Sequence, residues 1–165
     1  MQLIDTHTHL YLDQFNNDLE LVIKRAFEAG VEKFIFPAID SSYSKKMLDI
    51  KKKYPNNVFL MSGLHPVYVK QNYKEELEKI LLSIKNHKFV AIGEIGIDLY
   101  WDKTFLKQQQ DAFEYQIRLA IANDLPIVIH SRESFDEIFE ILERENCKKL
   151  RGVFHCFTGS LAQAN

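Results

Sequence analysis

The sequence lacks several features that would place it in a specialised class of protein. Its 165 residues include two cysteines, Cys147 and Cys156, which are too few for a disulfide framework and predict a reducing compartment. No apolar run approaches the ~18 residues of a membrane span. The N-terminus has no basic region followed by a long apolar stretch, so no signal peptide is predicted. We therefore expect a cytoplasmic protein that does not span a membrane.

The sequence also lacks an excess of charge of either sign. Lysine and arginine number 21 against 23 aspartates and glutamates, which gives a formal net charge of −2. This balance excludes a strongly basic nucleic-acid coat or a polybasic membrane binder, because both need a large positive excess. An enzyme that acts on nucleic acid through bound metal ions remains compatible, since the ions themselves supply positive charge.

Short apolar runs alternate with amphipathic helical segments along the whole chain. This alternation predicts βα units, a parallel sheet and an α/β fold in one domain spanning residues 1–165. The predicted strands are Gln2–Leu10, Val31–Ala38, Val58–Gly63, Phe89–Gly96, Pro126–His130 and Gly152–Cys156.

Most of the histidines fall at the carboxyl ends of these predicted strands, where parallel α/β folds build their sites. His87 is the exception; it follows lysine-rich helical sequence, and we expect it to be a solvated residue without a role. The residues at or just after strand ends are His7, His9, His65, Glu94, His130 and His155.

The pair His7 and His9 is the most informative element. Side chains two residues apart on a strand point to the same face, so both imidazoles can reach one metal ion. The alternative is two buried histidines whose ring nitrogens are satisfied by backbone groups.

Glu94 lies within an apolar strand, between Gly93 and Gly96. A carboxylate is costly to bury unless it is paired or bound to a cation, and a ligand that bridges two divalent ions would meet that need. The alternative is an ion pair with an arginine or lysine of a neighbouring strand. The glycines are expected to leave room for a close approach to the backbone.

Arg132, Tyr100 and Trp101 each allow two interpretations. Arg132 is either a surface residue at the start of a helix or a residue whose guanidinium binds a substrate phosphate through two hydrogen bonds. Tyr100 and Trp101 are either aromatic residues at the rim of a site that stack on a base, or loop residues that pack on each other.

Five motifs, in this order and spacing, resemble the TatD-like metal-dependent hydrolases, a family of the amidohydrolase superfamily that includes deoxyribonucleases. The resemblance covers the whole chain. The motifs are Asp5-Thr6-His7-Thr8-His9, Gly63-Leu64-His65-Pro66, Gly93-Glu94-Ile95-Gly96-Ile97-Asp98, His130-Ser131-Arg132 and His155-Cys156-Phe157-Thr158-Gly159.

The resemblance implies a TIM-type (β/α)8 barrel and a hydrolase that cleaves phosphodiester bonds in DNA with two divalent metal ions. Mg, Mn, Zn and Ni are all candidate metals. Glu94 and His65 would be the catalytic residues, and His65 and Arg132 would contact the substrate. The implied metal ligands are His7, His9, Glu94, His130 and His155.

The sequence departs from the family pattern at its C-terminal end. About six of the eight βα units are present, and the late aspartate ligand of the family has no counterpart among the 165 residues. We therefore expect a truncated barrel whose first and sixth strands are unpaired, and such a fragment would be prone to self-association. No stable protein partner is implied. The alternatives are an ester or amide hydrolase of the deacylase type on the same scaffold, and an inactive fragment that binds metal without turnover.

Overall fold

The computed structural model describes residues 2–165 and alternates strands with helices, as predicted. The strands are β1 (Leu3–Asp5), β2 (Val31–Phe36), β3 (Val58–Ser62), β4 (Ala91–Asp98), β5 (Ile127–Arg132) and β6 (Gly152–Phe154). The α-helices are α1 (Leu19–Glu28), α2 (Ser44–Lys53), α3 (Tyr73–Asn86), α4 (Leu106–Ala122), α5 (Phe135–Arg144) and α6 (Leu161–Ala164). Short 3-10 helices cover Asp13–Phe15, Ser41–Tyr43 and Pro66–Tyr68.

The six strands form one parallel sheet in which each strand pairs with the next strand along the chain. The sheet curls as a TIM-type barrel does, with six of the eight βα units of a complete barrel. The carboxyl ends of all six strands therefore meet on one face, which is where the predicted site residues were expected.

The first strand is much shorter than predicted, because β1 ends at Asp5 rather than at Leu10. His7 and His9 consequently lie in irregular chain after the strand and not on it. One backbone hydrogen bond, from the Thr8 N–H to the Ile35 carbonyl (3.1 Å), still ties this segment to β2. The prediction that His7 and His9 share one face of a strand is therefore wrong, although both rings still reach the same site.

The helices cover one side of the sheet, and their apolar faces form the core with the strands. Against β4 and β5, helix α4 places Phe113 and Ile117, which are fully buried beside Ile95 and Ile129. Gly30 follows α1 with a φ of 91°, a conformation that glycine adopts without the steric cost of a Cβ. Within residues 2–165, every helix is too short or too polar to cross a membrane.

The glycines of β4 leave room for a close approach to the backbone, as predicted, and the element that approaches is β5. A Cβ on Gly96 would lie 2.0 Å from the His130 carbonyl oxygen, and one on Gly93 would lie 2.7 Å from the Val128 Cβ. Strand β5 fills that space. Glycine is needed there because β4 and β5 approach each other too closely for a side chain.

The first and last strands of the sheet expose apolar side chains. Ile4 in β1 is 52% exposed and Val153 in β6 is 60% exposed. Between these strands lies a cleft of about 390 Å³, lined by Ile35, Met61 and Val128 among others. The unpaired, apolar edges predicted from the sequence are therefore present among the described residues.

Candidate metal centre

Glu94 is the central residue of the site. It lies within β4 and its side chain is almost fully buried. Its Oε2 atom lies 3.1 Å from His7 Nε2 and 3.9 Å from His65 Nε2, and its Oε1 atom lies 3.2 Å from His130 Nδ1. All of these partners are histidines, so the alternative in which an arginine or lysine neutralises Glu94 is wrong for residues 2–165.

The histidines keep Glu94 ionised despite its burial. Burial by itself would raise the pKa of the carboxyl group. The hydrogen bonds to His130 and His7, together with the nearby His65, outweigh burial and hold the pKa of Glu94 well below its usual range. A buried carboxylate surrounded by imidazoles is an arrangement that binds divalent cations in proteins.

Two groups of potential metal ligands share this carboxylate. In the first group, one ligand atom from each of His7, His9 and Glu94 lies within 4.8 Å of the others, and the second group brings His65, Glu94 and His130 equally close. Glu94 belongs to both groups and can therefore bridge two adjacent cation positions.

Tyr11 determines the orientation of the His9 ring. The Tyr11 hydroxyl is 2.6 Å from the Pro37 carbonyl oxygen, to which it donates, and 2.7 Å from His9 Nδ1. Burial, and next the charge of Glu94, raise the pKa of Tyr11, so the hydroxyl keeps its single hydrogen. Because that hydrogen goes to Pro37, Tyr11 accepts a hydrogen bond from His9 Nδ1–H, and His9 Nε2 carries the free lone pair.

His65 has the opposite arrangement of ring nitrogens. The Val67 backbone N–H donates to His65 Nδ1 (3.2 Å), so the ring hydrogen is on Nε2, which faces Glu94. Burial, followed by the positive charge of His130, lowers the pKa of His65 to about 4, so the ring is neutral near pH 7. His65 is therefore arranged as a hydrogen-bond donor rather than as a metal ligand.

His130 lies between two carboxylates. Its Nδ1 atom faces Glu94 and its Nε2 atom lies 2.8 Å from Asp98 Oδ2. Burial would lower the pKa of His130, but the hydrogen bonds to Glu94 and Asp98 raise it overall. A cation between His130 and Glu94 would replace the proton on Nδ1.

His155 is the one sequence-predicted ligand that belongs to neither group. Its ring stacks on the His7 ring, with centroids 3.5 Å apart and 9° between the planes. Its backbone N–H donates to the Ile129 carbonyl (2.8 Å), which fixes the chain at the end of β6. Burial, and next the neighbouring His7, lower the pKa of His155, so this ring favours the neutral form that a metal ligand needs.

Arg132, Tyr100 and Trp101 form a cluster at the rim of the strand ends. The guanidinium carbon lies 3.6 Å from the centroid of the Tyr100 ring and 5.4 Å from that of the Trp101 ring. The two aromatic rings pack edge to face at 4.9 Å, and both are at least half exposed. The three residues thus pack on one another and still present an open aromatic and cationic surface.

Sequence reasoning did not identify Tyr11 or Asp98 as part of the site. Tyr11 follows the two histidines at the same two-residue spacing, and Asp98 ends the motif that contains Glu94. His87, which was expected to have no role, caps the C-terminal end of α3, away from the cluster of histidines.

Comparison with known proteins shows the family to which the chain belongs. The family described as TatD related DNase matches residues 4–165. An uncharacterised metal-dependent hydrolase of Bacillus subtilis, YabD, is 37% identical over 158 residues, which cover 96% of this chain and 62% of that protein. A 3'-5' ssDNA/RNA exonuclease TatD of Erwinia tasmaniensis is 31% identical over 158 residues, which cover 96% of this chain and 61% of that protein.

Solved structures of TatD proteins have the same fold as this chain. The crystal structure of YjjV, a TatD homologue of Escherichia coli, superposes with a TM-score of 0.89 at 35% identity, covering 98% of this chain and 62% of that one. A TatD family hydrolase of Entamoeba histolytica superposes with a TM-score of 0.84 at 27% identity, covering 99% and 60%. The chain thus spans somewhat less than two thirds of the relatives it matches. With the family match extending over residues 4–165 and the histidines gathered around Glu94, this chain belongs to the TatD family of metal-dependent hydrolases.

Proposed function

We propose that this chain carries the metal-binding part of a hydrolase that cleaves phosphodiester bonds in nucleic acid, with DNA as the preferred substrate. The observation that carries the proposal is that each oxygen of the buried Glu94 carboxylate faces a different histidine, Oε2 lying 3.1 Å from His7 Nε2 and Oε1 lying 3.2 Å from His130 Nδ1. Two adjacent cations suit phosphodiester hydrolysis, in which water adds across a P–O bond and leaves a phosphomonoester and a hydroxyl group. The Erwinia relative named as an ssDNA/RNA exonuclease supports nucleic acid as the substrate, and the family description, TatD related DNase, supports DNA.

The side chains present suit two divalent ions. One ion would be held by His7, His9 and Glu94. The other would be held by Glu94, His130 and His155, once the His155 ring has left its stack on His7. Mixed imidazole and carboxylate ligands suit Zn²⁺, Mn²⁺ and Ni²⁺, whereas Mg²⁺ prefers oxygen ligands. Such ions, when bound, activate water and neutralise charge that develops on phosphate oxygens.

His65 would act on the substrate rather than on a metal. Its Nε2–H points into the site and its Nδ1 is already occupied by the Val67 backbone N–H. A neutral imidazole that donates from Nε2 can bind a non-bridging phosphate oxygen and stabilise the charge that builds on it. Its role would therefore be catalytic and substrate-binding, as the family resemblance implies.

Arg132 and its aromatic neighbours would bind the nucleotide beside the cleaved bond. Within residues 2–165, no carboxylate forms an ion pair with Arg132, so its N–H groups remain available to a phosphate. Tyr100 and Trp101 expose ring surface on which a base can stack, an interaction that is worth about 1–3 kcal/mol per base in single-stranded nucleic acid.

The test is cleavage of end-labelled oligonucleotides by metal-depleted protein to which Mg²⁺, Mn²⁺, Zn²⁺ or Ni²⁺ is returned. Single-stranded DNA, double-stranded DNA and RNA of one sequence are compared. We expect metal-dependent cleavage that Glu94→Gln and His7→Ala abolish. His87→Ala is the matched control, because it removes a histidine outside the site and should leave the rate unchanged.

Two other outcomes would overturn the proposal. Hydrolysis of carboxylic esters or amides, with all three nucleic acids left intact, would favour a deacylase on the same scaffold. Tight metal binding without cleavage of any substrate would favour a metal-binding chain without turnover.

A further inference from the structure

Asp98 is a buried residue whose two carboxylate oxygens have different hydrogen-bond partners, one being a histidine ring and the other the backbone of the following loop. It is the last residue of β4 and is 1% exposed. Its Oδ2 atom lies 2.8 Å from His130 Nε2. Its Oδ1 atom accepts hydrogen bonds from the backbone N–H groups of Tyr100 (3.0 Å) and Trp101 (3.2 Å).

The main chain of Asp98 is held in place by a buried glutamine of α4. Gln109 accepts from the Asp98 N–H through Oε1 (2.8 Å) and donates from Nε2 to the Asp98 carbonyl (3.2 Å). On the other side, the Leu99 N–H donates to the Arg132 carbonyl (2.9 Å), two residues after His130. The carboxylate is therefore fixed relative to both β5 and the following loop.

This arrangement determines which nitrogen of His130 faces Glu94. Both carboxylates can accept from this ring, Glu94 Oε1 from Nδ1 at 3.2 Å and Asp98 Oδ2 from Nε2 at 2.8 Å. The shorter contact with Asp98 favours the ring hydrogen on Nε2 and leaves Nδ1 for a cation beside Glu94. Given the metal centre proposed above, on which this inference rests, we propose that Asp98 is a positioning residue that selects the Nε2–H tautomer of His130 and ties that ring to the Tyr100–Trp101 loop.

A role limited to the loop is the competing explanation, because an aspartate often accepts from backbone N–H groups two and three residues ahead. The two explanations differ for an asparagine at position 98. An amide has one oxygen, which can still accept hydrogen bonds from the backbone N–H groups of Tyr100 and Trp101. Its NH₂ group then faces His130 Nε2. That nitrogen would become the acceptor, and the ring hydrogen would move to Nδ1, the position that a metal needs.

The experiment compares Asp98→Asn with Asp102→Asn in the intact protein. Asp102 is the matched control, because its Oδ1 accepts from the Thr104 N–H (2.8 Å) in the same loop and touches no histidine. The tautomer of His130 is measured by ¹⁵N NMR on metal-free protein at a pH where the ring is neutral. Affinity for Zn²⁺ is measured by calorimetry. Trp101, the only tryptophan of the chain, reports the state of the loop by its fluorescence.

We expect Nε2–H in the wild type and in Asp102→Asn, and Nδ1–H in Asp98→Asn. Affinity at one of two Zn²⁺ sites should fall about 10- to 100-fold in Asp98→Asn alone, the usual effect of removing a partner of a metal-ligating histidine. Trp101 emission should stay close to that of the wild type.

The inference is overturned if the wild type already has Nδ1–H, a result that does not depend on how well the variant folds. It is also overturned if Asp98→Asn keeps both tautomer and affinity and changes only Trp101 emission. If the wild type binds no metal at all, the proposed function fails, while the tautomer measurement still decides the role of Asp98.

Discussion

The imidazole rings of His7 and His155 lie face to face, 3.5 Å between centroids, and join the first segment of the chain to the last strand of the sheet. His7 also contacts Glu94, so this stack brings β6 to the edge of the candidate metal centre. Both rings are proposed ligands, and the stack must open for His155 to reach a cation beside Glu94 and His130.

Replacing His155 with phenylalanine separates stacking from ligation. A phenyl ring can keep the stack on His7 but has no lone pair. We expect His155→Phe to weaken metal binding at the Glu94–His130 position at least about tenfold, with binding at His7 and His9 retained. Calorimetric titration with Zn²⁺ measures both sites, and unchanged affinity would mean that His155 only packs.

Tyr11→Phe removes the hydroxyl group that accepts from His9 Nδ1 and donates to Pro37. Without it the His9 ring can rotate or change tautomer, and we expect about a 10- to 100-fold loss of affinity at the His7–His9 position. Tyr43→Phe is the control, because its ring packs on Tyr11 with centroids 5.4 Å apart. Equal affinities in the two variants would exclude this role for Tyr11.

Metal binding should strengthen as pH rises and should release a proton from His130. The neighbouring carboxylates raise the pKa of His130, which favours its protonated form, and a cation can bind only after Nδ1 loses that proton. Affinity therefore falls as pH decreases through that raised pKa. Calorimetry in two buffers with different ionisation enthalpies counts the protons released; no release near neutral pH would contradict the proposed role of His130.

Gly96→Ala should destabilise the protein and displace His130. Gly96 has a φ of 141°, and an added Cβ would meet the His130 carbonyl oxygen at 2.0 Å. The backbone conformation alone should cost about 1–3 kcal/mol in the free energy of unfolding. Denaturant unfolding measures the loss, and a variant as stable as the wild type would show that β4 and β5 can separate without cost.

The alternation of strands and helices could be predicted from the sequence because each element has its own local pattern. The end of β1 could not, because the Thr-His-Thr-His sequence of residues 6–9 keeps a two-residue repeat after strand pairing stops at Asp5. Where pairing ends depends on the partner strand, which local sequence does not describe.

The residues around Glu94 were predictable because histidines at strand ends must meet on one face of a parallel sheet. The assignment of ring nitrogens was not. Tyr11 acts through Pro37, 26 residues away, and Asp98 meets His130 from 32 residues away. His65 fits a donor role only because the Val67 N–H occupies its Nδ1. These relationships depend on side-chain orientation in the folded chain.

The central claim is that Glu94 bridges two cation positions, and calorimetric counting of divalent ions tests it most directly. The wild-type chain and Glu94→Gln are titrated with Zn²⁺ after metal depletion. Glu114→Gln is the control, because Glu114 of α4 is only partly exposed and pairs with Arg118 and Arg144, not with a histidine. The account predicts two ions per wild-type chain, two in Glu114→Gln, and the loss of both sites in Glu94→Gln. One ion per wild-type chain, or a Glu94→Gln variant that still binds two, would contradict it.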